Sequence, residues 1–185
     1  MSATTMAVPV QRSGLLTPIL IGGLIAGTFD EVCAFVTMGL QVPRVVAAGL
    51  VGTWAIKSTS AWVWVLGVVL HFVVAFGAAT VYCLASRKLT FLKEHFVVCA
   101  MFFGIAVFLV MYLVVMPLCA FHYVGPYTLR TLVQGILVHM VLIGLPIGMT
   151  LRWVNLGMAN APACRTPARP TSPVRLARCH VPALN

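Results

Sequence analysis

An all-α integral membrane protein, a four-helix bundle with a short interfacial or re-entrant helix between its first two spans, is predicted by three observations. The 185 residues are 61% hydrophobic and 8% charged, against roughly 25% charged in an ordinary soluble domain. Mean hydropathy is +1.04. Residues 58–86, 95–129 and 131–151 contain no Lys, Arg, Asp or Glu, and each stretch can hold the ~20 apolar residues that cross a ~30 Å hydrocarbon core. Backbone amides in that core must bond within the chain, and spans of this length fit helices rather than the ~10-residue strands of a barrel.

The spans are predicted at about 15–40, 61–85, 95–118 and 128–151. Residues 1–14 form a cytoplasmic head, 15–153 the transmembrane domain and 154–185 a basic, disordered cytoplasmic tail. The first span is longer than a leader core, contains Asp30 and Glu31, and is followed by no convincing small-residue cleavage pattern, so it reads as retained. Between the first two spans, Pro43 and Arg44 open an apolar stretch that ends at Lys57 and is too short to cross. It reads as a helix in the outer interface, with Trp54, Trp62 and Trp64 as anchors, or as an apolar loop on the bundle. Residues 119–127 carry His122, Tyr123, Gly125, Pro126 and Tyr127, the composition of an interfacial turn. The tail has five prolines and four arginines and no acid, too little apolar content for a core.

Nine basic residues (Arg12, Arg87, Lys88, Lys93, Arg152, Arg165, Arg169, Arg175 and Arg178) fall on one side of the spans and three (Arg44, Lys57 and Arg130) on the other. The positive-inside tendency places both termini in the cytoplasm. Net charge is +9, spread over loops and tail rather than gathered on a folded patch, which argues against nucleic-acid binding. The tail basics suit anionic lipid headgroups or simple topological retention. The six cysteines include no CxxC pair, and the four in or at the ends of spans (Cys33, Cys83, Cys99 and Cys119) read as small apolar packers. No triad spacing, phosphate loop or HExxH is present, so a non-enzymatic role is expected.

The chemistry concentrates at mid-membrane. Asp30 and Glu31 are two of the three acidic residues, and a carboxylate at bilayer depth costs about 2.5–3.5 kcal/mol on the insertion scale. Asp30, His71 and His139 each lie about ten residues below the outer end of their span, about 15 Å deep at 1.5 Å per residue. On the first helix Gly23, Gly27, Asp30, Ala34 and Thr37 recur at steps of three and four, so Asp30 is expected to face the bundle with Glu31 on its shoulder. Gly67 precedes His71, and Gly135 precedes His139, by the same four residues, a weak hint of duplication. Tyr112 and Gln134 are further polar candidates for the layer, and the Gly23–Gly27 and Gly144–Gly148 pairs offer surfaces for helix packing or a homo-oligomer. Pro146 reads as a point where the last helix loosens or kinks.

Three readings compete for Asp30, Glu31, His71 and His139: proton- or cation-linked transport, a structural hydrogen-bonded network in a scaffold, and ligation of a metal by His71, His139 and Asp30 or of a haem by the two histidines. No cofactor is firmly implied.

The segments GLIAGTFDEVCAFV at 23–36, LHFVVAFGAATVYCLASR at 70–87 and LVQGILVHMVLIGLPIGM at 132–149 resemble small four-span inner-membrane proteins of bacteria and, more distantly, the YagU-type proteins. The resemblance implies a bacterial plasma-membrane location. It transfers no catalytic residue.

Overall fold

The computed structural model describes residues 14–123, 125 and 128–159, and the side chains of these except Met158 and Ala159. Arg12, Pro126, Tyr127 and the tail beyond residue 159, with Cys164 and Cys179, lie outside the described residues. Four helices are long and apolar enough to cross a membrane: α1 (Leu16–Met38), α4 (Ala61–Lys88), α6 (Phe96–Leu118) and α7 (Leu129–Gly157). Three short helices, α2 (Val42–Val51), α3 (Trp54–Lys57) and α5 (Phe91–Glu94), complete the described chain. The fold is the expected all-α class.

Between 17% and 28% of the most apolar window of each long helix is buried. The remainder carries exposed apolar side chains such as Val36, Phe102 and Leu137. Apolar surface on that scale needs an apolar surrounding, and the molecule is accordingly a polytopic helical membrane protein.

Packing follows the glycines. At Gly23 a Cβ would run into the Phe76 ring, and at Gly27 it would stand 2.9 Å from the Phe72 ring and 3.0 Å from Ala75 Cβ, so side chains of α4 fill the space that the α1 glycines leave. Gly144 sits against the Ala100 carbonyl, and a Cβ at Gly148 would lie 2.6 Å from Ala100 Cβ, which brings α7 onto α6. Gly135 lies under the Phe108 ring. Both glycine pairs are thus occupied inside one chain. They are not the oligomer surfaces that the sequence offered. The central cluster (Ala26, Ala79, Tyr82, Cys83, Ala100, Ile143, Ile147 and Leu151) joins α1, α4, α6 and α7.

The connection after α1 is helical and dips inward. Pro43, near the first turn of α2, presses its backbone on Gly67, where any side chain would overlap the Pro43 carbonyl. Gly67 is six residues into α4, about 9 Å along its axis. Ala47, Ala48, Ala55 and Val63 form a second core, and Ala120 donates its backbone N–H to Gly49 O at 2.8 Å, tying the loop after α6 onto α2. Trp64 stacks on Phe35 and donates to Leu40 O at 3.1 Å, whereas Trp54 and Trp62 are exposed.

Two long helices widen for one turn, α6 at Met111–Val115 and α7 at His139–Gly144, both π-helical. Each widened turn ends two residues before a proline, Pro117 and Pro146. Proline has no N–H to give the carbonyl four residues back, and its ring crowds that carbonyl. An extra residue in the turn relieves the crowding. In α7 the bulge settles against Gly104, where a Cβ would meet the His139 carbonyl.

Candidate functional site

α1 supplies both acids and α4 the imidazole between them. His71 Nδ1 lies 3.2 Å from Glu31 Oε2, and His71 Nε2 lies 3.9 Å from Asp30 Oδ2. Nε2 also donates to the carbonyl of Gly27 at 3.0 Å, an approach that the missing side chain of Gly27 allows. The His71 ring meets Phe72 edge-on, with centroids 5.7 Å apart.

This arrangement decides where protons sit. A carbonyl can only accept, so the Gly27 contact places a hydrogen on Nε2. If the pair holds a proton, it sits either on Nδ1, facing a Glu31 carboxylate, or on Glu31, facing a bare Nδ1. The two states hold the same number of protons and differ by one transfer across 3.2 Å. Neither Glu31 oxygen has an aligned hydrogen bond within the described residues, so the contact with His71 is an electrostatic approach whose angle is not that of a formed bond. The Glu31 side chain is 7% exposed and that of Asp30 18%. The shoulder residue is the more deeply enclosed of the pair.

A cavity of about 90 Å³ opens beside this cluster, and Asp30, His71 and His139 line it together with Gly27 of α1, Val46 of α2 and Met111 of α6. About 10–15 Å³ accommodates one water, so several fit. The mid-membrane layer expected from residue depth therefore brings Asp30, His71 and His139 to one space. His139 is the first residue of the widened turn in α7; its Nδ1–H donates to Gly135 O at 2.9 Å, and its ring meets Phe108 edge-on at 5.2 Å. The two histidines turn different ring nitrogens to a backbone carbonyl, Nε2 in His71 and Nδ1 in His139. The shared Gly-x-x-x-His spacing has different uses as well, since His139 bonds its own glycine and His71 bonds a glycine of α1.

Tyr112 stacks on Phe108 with centroids 5.2 Å apart, outside the cavity lining, and Gln134 is exposed on α7. Neither lines the cavity. The sequence reading missed the Gly27 carbonyl and the apolar lining residues Val46, Val74, Val107, Met111 and Ile143. Two of these had a sequence signal: the short apolar stretch that carries Val46 and the proline after the turn that carries Met111.

Among the described residues no group of three or more His, Cys, Asp or Glu could hold a metal ion, so the shell of His71, His139 and Asp30 is not assembled. A cavity of about 90 Å³ is also far below the roughly 300 Å³ at which organic ligand pockets begin, which leaves no room for a haem. Cys33, Cys83, Cys99 and Cys119 are free thiols.

Comparison with known proteins gives no match by family model, by curated sequence or by solved structure.

Proposed function

We propose that this chain handles protons or cations in transport across a bacterial plasma membrane, with both termini in the cytoplasm. The observation that carries the reading is His71, whose two ring nitrogens face Gly27 O and Glu31 beside a cavity shared with Asp30 and His139. In this scheme the Gly27 carbonyl holds the ring still while a proton passes between Nδ1 and Glu31. Asp30 is the principal carboxylate of the cavity and His139 its partner on the opposite helix. The bacterial location rests on the family resemblance and the orientation on the distribution of basic residues.

Magnitudes favour this over a purely structural network. Two carboxylates at mid-membrane cost about 5–7 kcal/mol on the insertion scale before pairing, while intramembrane polar contacts average about 0.6 kcal/mol. Helix pairing alone is a weak return on that cost. The scaffold reading has its own support in the His71–Gly27 bond, which ties α4 to α1 directly.

Asp30→Asn keeps shape and hydrogen bonding and removes the charge. In proteoliposomes with an imposed proton or cation gradient, flux is expected to fall by at least tenfold in this variant. Identical flux in the two proteins defeats the transport reading, and a change confined to stability supports the scaffold.

A further inference from the structure

A second opening lies at the far end of the bundle from the α2 connection. It is a cleft of about 400 Å³ between α5, α6 and α7, with Lys93, Arg152 and Asn155 supplying polar groups and Leu92, Phe96 and Leu156 apolar wall. Arg152 is held in place, its guanidinium carbon 4.5 Å from the centre of the Phe96 ring. α7 has 29 residues, about 43 Å of helix against a ~30 Å hydrocarbon core. Arg152 and Asn155, near its end, therefore stand at headgroup level while Leu156 remains exposed beside them.

We propose that this cleft binds one anionic phospholipid, the phosphate between Lys93 and Arg152 and an acyl chain along Leu92 and Leu156. Charge selects the occupant. No acid lines the cleft; the neighbouring Glu94 is exposed and off its wall. The chain's own tail is a poor competitor, since residues 160–185 carry Arg165, Arg169, Arg175 and Arg178 and no acid.

The inner wall of the cleft is closed. Tyr82 is 1% exposed, and its hydroxyl makes no hydrogen bond within the described residues. Buried hydroxyls are rarely left so. Its Oη stands 3.4 Å from where a Cβ on Gly148 would be, and Gly148 is part of the cleft wall. A Cβ there would also lie 2.6 Å from Ala100 Cβ, so the hydroxyl is sealed behind the cleft wall and the headgroup is left to Lys93, Arg152 and Asn155.

The test is lipid binding to the delipidated full-length protein in detergent, read by native mass spectrometry with dioleoylphosphatidylglycerol and dioleoylphosphatidylcholine as probes. The anionic lipid is expected to bind at least tenfold more tightly. Each basic residue near a headgroup is worth about fivefold, so Lys93→Gln with Arg152→Gln should lower affinity for the anionic lipid on the order of 25-fold, and Arg152→Lys should retain most of it. A full-length variant with the four tail arginines changed to Gln should stay within about twofold of wild type. If the double variant does not fold, Lys93→Gln alone, at an exposed position, carries the test with its fivefold loss. Equal binding of the two lipids, a tail variant as impaired as the cleft variant, or displacement by an equal concentration of glycerophosphoglycerol, which has no acyl chains, each overturns the proposal.

Discussion

His71 Nε2 donates to the Gly27 carbonyl and Nδ1 faces Glu31, and the two contacts have different consequences. The Gly27 bond at 3.0 Å fixes the ring, and the Glu31 contact at 3.2 Å gives the fixed ring a partner for proton exchange. A double-mutant cycle with Glu31→Gln and His71→Asn is expected to show a coupling of about 1 kcal/mol in detergent unfolding, within the range of intramembrane polar pairs; additive effects would mean that the two side chains do not interact. The positions of these residues were legible in the sequence because ionisable groups are so rare in its spans. Their ranking was less so. Buried positions on α1 include Gly23, Gly27 and Glu31, a strict step of four, whereas the stripe read from composition turned at a step of three onto Asp30. Both steps stay on one helix face, so composition alone does not choose between adjacent acids.

At the scale of elements, two prolines shape the site. Pro117 and Pro146 each follow a widened turn, and the turn in α7 begins at His139 itself. Restoring a backbone N–H with Pro146→Ala should let residues 139–144 return to α-helical bonding. Amide hydrogen exchange through residues 142–145 is then expected to slow by about tenfold; unchanged exchange would show that proline does not set the wide turn. The four spans were readable from uncharged stretches because lipid imposes composition along a whole helix. A single extra residue in one turn leaves no such mark, and Pro146 signalled a disturbance without saying that the helix would widen rather than kink. The dipping of α2 was half legible. Its length excluded a crossing, but its depth depends on Gly67 admitting the Pro43 backbone, a contact between positions 24 residues apart.

Among the described residues, the mid-span ionisable groups Asp30, Glu31 and His71 are drawn inward and apolar surface faces outward, as the bilayer demands. The small residues serve this inside one chain: Gly23 and Gly27 close α1 on α4, and Gly144 and Gly148 close α7 on α6. The cavity is bordered by residues of α1, α2, α4, α6 and α7, and His71, itself part of the wall, faces Glu31 behind it. Proton flux through reconstituted liposomes under a potassium diffusion potential, compared between wild type and His71→Asn, tests this most directly. Asparagine can still hydrogen-bond at that position but cannot carry the proton. The expected result is a flux in the wild-type protein that falls at least tenfold in a folded His71→Asn variant; equal flux from the two proteins would contradict a proton path through the His71–Glu31 pair.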